Sequence, residues 1–154
     1  MLNNMKLQIL SDLHIDSYAR QSHPVGHIPK TDADLVLVAG DTANSDKGMP
    51  WLQEQAARLE VPLITIAGNH EYFDEDVLSF DHKLATWDNY DTVSKKGVRV
   101  LQCQHIDIGD IRLLGCTLWT DYQYHANEDT MAAARHFMRD YKQIYAGNEL
   151  FSPE

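Results

Sequence analysis

The residues of this sequence whose types suit metal chemistry each follow a short apolar segment. They comprise two carboxylates, one amide and two imidazoles: Asp12, His14, Asp41, Asn69 and His70. Mixed oxygen and nitrogen donors of this kind suit borderline divalent cations such as Mn, Fe, Zn or Ni. The sequence therefore predicts a metal site, provided that the fold brings these side chains together.

The three apolar segments have the pattern of buried parallel strands, because each is continuous rather than alternating. They are Leu7–Leu10, Leu35–Ala39 and Leu63–Ala67. The interval from Asp12 to Asp41 is 29 residues and that from Asp41 to Asn69 is 28, close to one strand–crossover–strand unit. Since ligands of open α/β sheets bind beyond the carboxyl ends of the strands, this spacing places the donors at one edge.

The rest of the chain predicts further helices. Pro50, with apolar residues on one face after it, predicts a helix in the second crossover, whereas residues 16–33 are expected to be mostly loop. A helical apolar stripe runs from Val77 to Trp87. Asn127 is expected to cap a last helix, with an apolar side formed by Met131, Ala134, Met138, Tyr141 and Tyr145.

Two further strands are predicted at Val98–Cys103 and Ile111–Leu118. A turn at Gly109-Asp110 between them would place Cys103 and Cys116 opposite each other in a hairpin. We expect both thiols to be reduced and buried, as in a cytoplasmic protein, because their spacing is not that of a zinc site.

Composition and charge restrict the classes of partner. The chain of 154 residues has a net charge of −10 and is expected to form one domain. That charge disfavours binding to anionic membranes and to nucleic acid, although nucleic acid stays an open alternative. We find no apolar run of membrane-spanning length and no signal peptide, so we expect a cytoplasmic protein.

Three motifs together carry a resemblance to a known family. Asp12-Leu13-His14, Gly40-Asp41 and Gly68-Asn69-His70-Glu71 resemble the calcineurin-like metallophosphoesterases, and the likeness extends from about residue 6 to the C-terminus. Two later segments, GCTLWTDY at 115–122 and MRDYKQI at 138–144, are similar to an uncharacterised bacterial branch of that family.

The resemblance implies a fold, a cofactor and roles for these residues. The fold is an α/β/β/α sandwich with a centre of two divalent metals. Asp12 and His14 would bind the first metal, Asp41 would bridge both and Asn69 would bind the second. His70 would assist departure of the leaving group, and Glu71 would orient its loop. The two metals would lower the pKa of a bridging water, giving a hydroxide that attacks a phosphoester substrate.

The sequence departs from the family pattern after these motifs. The family's later histidine, often within Thr-His, and its Gly-His-x-His motif do not occur in this sequence. We therefore expect residues 1–154 to be a C-terminally truncated metallophosphoesterase domain with an incomplete second metal site. The sheet face that a second sheet normally covers would be exposed, which favours self-association.

Two other functions stay open at this point. A module that keeps the fold but not the catalysis would act in binding or assembly, which the missing histidines favour. A nucleotide-binding α/β domain of another kind has little support, because the sequence has no glycine-rich phosphate loop of either common type. Which phosphodiester or phosphomonoester would be the substrate stays open.

Overall fold

A computed structural model describes residues 5–21, 25–122 and 128–153. The prediction that Asn127 caps a helix falls outside these residues. Eight strands and five α-helices occur in the described parts of the chain. In chain order they are β1 (Leu7–Leu10), α1 (Ile15–Arg20), β2 (Leu35–Ala39), α2 (Met49–Leu59), β3 (Leu63–Ile66), α3 (Val77–Ala85), β4 (Val98–Val100), β5 (Gln104–Ile108), β6 (Ile111–Gly115), α4 (Glu128–Phe137), α5 (Asp140–Gln143), β7 (Tyr145–Ala146) and β8 (Glu149–Leu150).

The central element is a four-stranded sheet in the order β1-β2-β3-β4, with every neighbouring pair parallel. Leu10 lies beside Val38 and Ala39 lies beside Ile66, so the carboxyl ends of the first three strands meet at one edge. Strand β1 follows the predicted bounds, as does β2. Strand β3 ends one residue earlier than predicted, at Ile66.

One face of this sheet packs against helices. Val36 and Val38 of β2 join the buried apolar cluster that contains Leu52 of α2 and Phe80 of α3. Both helices were predicted from their apolar stripes, and both are confirmed. Helix α2 has Pro at its first turn, where a missing backbone N–H loses no intrahelical hydrogen bond.

The other face of the sheet packs against the β5–β6 hairpin. Leu35 and Ile64 point to this face and pack with Ile106 and Leu113 of the hairpin, as the alternation of side chains along a strand requires. The hairpin approaches closely, because a Cβ added to Gly115 would lie 2.5 Å from the Leu101 Cβ atom. Helices, a parallel sheet and a second β layer are consistent with the predicted α/β sandwich. The expectation that this face is uncovered is wrong where the hairpin packs on it.

The hairpin turn is confirmed, with Ile108 and Ile111 paired across Gly109-Asp110. The Cys103 and Cys116 sulfur atoms lie 3.0 Å apart at its open end. Both are free cysteines. The prediction that both are buried is wrong: Cys103 is exposed, because it lies beyond the paired part of the hairpin, and Cys116 is half-buried.

Several other predictions of secondary structure are wrong. A short helix, Ile15–Arg20, begins the segment 16–33 that was expected to be mostly loop, and the described residues of that segment after this helix have no helix or strand. The two later strands end at Val100 and Gly115 rather than at Cys103 and Leu118. The predicted last helix is two helices, α4 and α5, separated at residues 138–139. This break lets Tyr141 reach the core while Tyr145 is 41% exposed.

The expectation that all three apolar strands are covered on both faces is wrong for β1. Ile9 is 65% exposed and Leu7 is 39% exposed. Strand β1 is at the edge of the sheet, and the hairpin packs over β2, β3 and the residue after β4 instead. In the described ranges, no helix has both the length and the apolar character needed to cross a bilayer.

Candidate metal centre

The loops after β1 and β2 run side by side at the carboxyl edge of the sheet. The Asp12 N–H donates to the Gly40 carbonyl oxygen at 3.2 Å, and the His14 N–H donates to the Asp41 carbonyl oxygen at 3.0 Å. A third bond joins the Ile15 N–H to the Thr42 carbonyl oxygen at 2.9 Å. These bonds place the residues of the first motif next to those of the second.

Three side-chain-bearing residues in these loops have left-handed backbone conformations. The φ angles are +53° at Asp12, +42° at His14 and +55° at Asp41. Such conformations are uncommon outside glycine and cost about 1–3 kcal/mol each, and they cluster at functional sites. Their concentration in two adjoining loops indicates that local strain is tolerated here in order to aim these side chains.

The loop after β3 approaches the loop after β2 closely at two glycines, Gly40 and Gly68. Gly40 has φ +81°, and a Cβ atom on it would lie 2.5 Å from the Gly68 nitrogen. A larger residue at Gly40 would therefore hold the second and third motifs apart. The glycines of Gly-Asp and Gly-Asn are thus required here for close approach of the two loops, and not only for forming turns.

His14, Asp41 and His70 come together in front of these loops. Each offers one donor atom, and the three donors all lie within 4.8 Å of one another. The His14 and His70 ring centres are 4.3 Å apart. Donors on one ion at about 2.0–2.2 Å lie at most about 4.4 Å apart. Shifts of a few tenths of an ångström would therefore let all three bind one cation.

The chemistry of this donor set also fits a divalent metal. One carboxylate and two imidazoles suit Zn, Mn, Fe or Ni better than the all-oxygen sets that Mg and Ca prefer. All three residues are half-buried, so their donors are shielded from bulk water yet open to an entering ion.

His70 is held by two residues of the loop after β2, Asp41 and Asn44. The His70 backbone N–H donates to the Asp41 Oδ1 atom at 3.0 Å, and the Nδ1 atom of its ring lies 2.9 Å from the Asn44 Oδ1 atom. Asn44 thus engages Nδ1, so Nε2 is the ring nitrogen available to other partners. The ring also packs on Phe73, with centres 4.4 Å apart.

The electrostatic surroundings of His70 favour its neutral form. Burial lowers the pKa of His70 below its ordinary value, and the positive charges of His14 and Arg139 add to this shift. The negative charge of Asp41 acts in the opposite direction, as does that of Asp16. An added anion near the ring would therefore raise the fraction of imidazolium.

Glu71 joins the loops of the second and third motifs. Its carboxylate is 1% exposed and accepts three backbone N–H bonds: from Thr42 at 2.7 Å, from Gly68 at 2.8 Å and from Asp41 at 3.0 Å. Burial raises the pKa of Glu71, while the three N–H donors act against that rise. The loops that hold Asp41 and His70 are thus tied through one buried side chain.

Asp12 and Asn69, the other two predicted metal ligands, each line a cavity at this edge of the sheet. Asp12 is exposed and lines a cavity of about 390 Å³ together with His14 and His70. Asn69 lines a second cavity, of about 400 Å³, with Trp119 and Tyr122. Among the predicted site residues that carry an imidazole or a carboxylate, His14, Asp41 and His70 are those whose donor atoms come together.

Sequence reasoning missed Asn44. The signal was an amide three residues after Asp41, but such a residue in a loop is ordinarily a turn or cap residue. Its contact with His70 joins positions 26 apart in sequence, and pattern alone does not reveal it. Of the other histidines, His23 falls outside the described residues, and His136 is exposed on α4.

Comparison with protein families decides the identity of this fold. The model for calcineurin-like phosphoesterases matches residues 5–149. The chain belongs to the calcineurin-like phosphoesterase family. No curated protein sequence gave a significant match. The family match covers all the loops that form the candidate metal centre, and family members of this kind bind divalent metals, in agreement with the His14, Asp41 and His70 group.

Proposed function

We propose that this chain forms a metal-dependent phosphoesterase centre that hydrolyses a phosphodiester or a phosphomonoester. The observation that carries the proposal is the convergence of His14, Asp41 and His70 within 4.8 Å at the carboxyl edge of the sheet. A cluster of this composition at the point where open α/β sheets bind ligands is suited to a catalytic metal.

His14 and Asp41 would hold a divalent cation, with Asp12 and Asn69 as further ligands. Manganese, iron, zinc or nickel each fit these donors. When bound, such cations neutralise phosphoryl oxygens and lower the pKa of water toward neutrality. Asp41 is the residue best placed to bridge two ions, because its loop adjoins both the His14 loop and the His70 loop.

His70 would donate a proton to the leaving oxygen. Asn44 holds Nδ1, so the imidazolium form presents its second proton on Nε2. Since burial lowers the pKa of His70, only the minor, protonated form would act as an acid near neutral pH. Activity that depends on this acid should therefore fall as pH rises through that pKa.

The test of the metal centre uses the chain with a chromogenic bis-aryl phosphate and Mn²⁺. Asp41→Asn retains the oxygen that accepts the His70 N–H but removes the charge, so we expect kcat/KM to fall by more than about 100-fold. A chelator should abolish activity and Mn²⁺ should restore it. The control is Asp110→Asn, in the exposed hairpin turn, which should retain activity. Undiminished activity in Asp41→Asn contradicts the proposal.

The role of His70 is tested by the dependence on the leaving group. An acid matters most when the departing oxygen is basic, so His70→Ala should lower kcat by about 100-fold or more for an alkyl ester. The loss should be much smaller for a nitrophenyl ester. Exposed His136 on α4 provides the control, His136→Ala. Equal losses for both leaving groups would instead indicate that His70 acts as a metal ligand only.

A non-catalytic module is the second candidate. One observation favours it: the family's later histidine and its Gly-His-x-His motif do not occur in this sequence, so fewer ligands are present for a second metal. It predicts that Mn²⁺ raises the melting temperature and that no phosphoester is hydrolysed. Turnover that is lost in Asp41→Asn would rule it out.

A further inference from the structure

The two cysteines lie at the open end of the β5–β6 hairpin. They are one residue beyond its last paired residues, Gln104 and Gly115, and their sulfur atoms are 3.0 Å apart. Residues directly opposite each other in antiparallel strands have Cα atoms about 4.5–5.5 Å apart, within the range that a disulfide spans. The backbone at this position is therefore compatible with a bond between the two sulfurs.

The neighbouring residues hold the two segments at this separation. The Thr117 N–H donates to the Gln102 Oε1 atom at 2.9 Å, and the Thr117 hydroxyl donates to the Ala67 carbonyl oxygen at 2.8 Å. The Gln102 amide donates to the Tyr72 hydroxyl at 3.0 Å. Joining the sulfurs therefore requires little movement of the backbone and leaves these hydrogen bonds in place.

The backbone and the surroundings of Cys103 leave its thiol accessible. Cys103 has φ +50°, which is uncommon for a residue with a side chain, and it is exposed. Cys116 is half-buried and lines the cavity that Asn69 also lines. A small reagent can thus reach Cys103 from solvent, and Cys116 is positioned to react next.

We propose that Cys103 and Cys116 form a modification site for reversible thiol–disulfide exchange with a low-molecular-weight disulfide. This site does not depend on the phosphoesterase function. The Cys103 thiolate attacks one sulfur of the small disulfide, whose S–S bond breaks and releases one small thiolate. The Cys116 thiolate then attacks the Cys103 sulfur and releases the second. The protein loses two electrons and two protons, and the small disulfide becomes two thiols.

The resulting cross-link would join the chain after β4 to the segment that carries Thr117. The two positions are 13 apart in sequence, so the cross-link closes a loop of moderate length and restricts the unfolded chain. Because Thr117 bonds to Ala67, the residue before Gly68-Asn69, oxidation would also fix one wall of the cavity beside the metal centre.

The experiment uses the full chain, first reduced and then incubated with oxidised glutathione in mildly basic buffer. We expect both free thiols to disappear and the intact mass to fall by two hydrogen atoms, without a retained glutathione adduct. The melting temperature should rise by on the order of 5–10 °C, and dithiothreitol should reverse both changes. Stable glutathione adducts without a cross-link, or a cross-link between two chains, would overturn the proposal.

The matched variant is Cys103→Ser, which replaces the exposed member of the pair with a similar side chain. Under the same treatment it should keep a single adduct on Cys116 and show no rise in melting temperature. An equal rise in this variant would mean that the cross-link is not its cause. The thiol count and mass of the unaltered chain decide the proposal even if the variant fails to fold.

Discussion

Glu71 holds two loops together through hydrogen bonds to its side chain. Its buried carboxylate serves three backbone N–H groups from two loops, and those loops carry Asp41 and His70. Leaving a buried backbone N–H group without an acceptor destabilises the folded state by about 1–3 kcal/mol. The positions of Asp41 and His70 therefore depend on a side chain that itself contacts no substrate.

We predict that Glu71→Gln destabilises the protein by about 1–3 kcal/mol. Glutamine has one acceptor oxygen instead of two, so an amide N–H would face one of the backbone N–H donors. The free energy of unfolding from urea titration measures the effect. Glu54→Gln, on the exposed side of α2, is the control and should change stability by less than about 0.5 kcal/mol. Equal stability in both variants would show that the three bonds contribute little.

At the scale of elements, the hairpin forms the second β layer and touches the sheet through a glycine. Gly115 is buried, and a Cβ there would meet both Leu101 and the Ile66 Cγ2 atom, the latter at 2.9 Å. The hairpin packs closely on β3 and the residue after β4 because no side chain intervenes at this point.

Gly115→Ala should accordingly destabilise the protein by about 1–3 kcal/mol through overpacking. Gly26→Ala is the matched control, since a Cβ at Gly26 meets nothing within 4 Å, and it should be neutral or slightly stabilising. Thermal unfolding of both variants measures the difference. If Gly115→Ala melts at the same temperature as the parent, the hairpin is able to shift outward without loss.

The elements that could be predicted from sequence are those with a strong local pattern. Helices α2 and α3 have an apolar stripe at helical spacing, and β2 is a short continuous apolar run. The exposure of Ile9 could not be predicted, because it depends on how far the hairpin reaches. The break between α4 and α5 could not be predicted either, because it depends on the packing of Tyr141 in the core and not on a local sequence signal.

Part of the candidate site could likewise be predicted from the sequence, and part could not. Its motifs and their convergence at strand ends followed from spacing and the geometry of parallel sheets, and Asp41 was placed by that reasoning. The contacts between the loops could not be predicted from this spacing. The link from Asn44 to His70 and the bonds from Asp41 and Thr42 to Glu71 join residues 26 to 30 positions apart, so they depend on the folded register.

At the scale of the whole molecule, the sheet face beside the hairpin stays partly open. Ile9 and Leu114 both line an apolar groove on this face and are 65% and 80% exposed. Contiguous apolar surface of this kind is a common site of association. The self-association expected from sequence therefore has a specific location to be tested.

We expect the chain to associate at increasing concentration, and the double variant Ile9→Lys with Leu114→Lys to shift it toward monomer. Two charges facing each other across a contact on this face would oppose association. Light scattering after gel filtration measures the mass. Leu78→Lys is the control, because Leu78 is 71% exposed on α3, away from the groove. A monomeric parent chain over the whole concentration range would contradict this expectation.

The strand order β1-β2-β3-β4 has a consequence for synthesis of the protein. Because each strand pairs with the one made just before it, every donor in the centre, together with Glu71, is present once residues 12–71 have left the ribosome. Contacts between consecutive segments form early. The candidate metal centre can thus assemble while the hairpin and the last helices are still being translated. An ion that binds at this stage would stabilise the nascent chain.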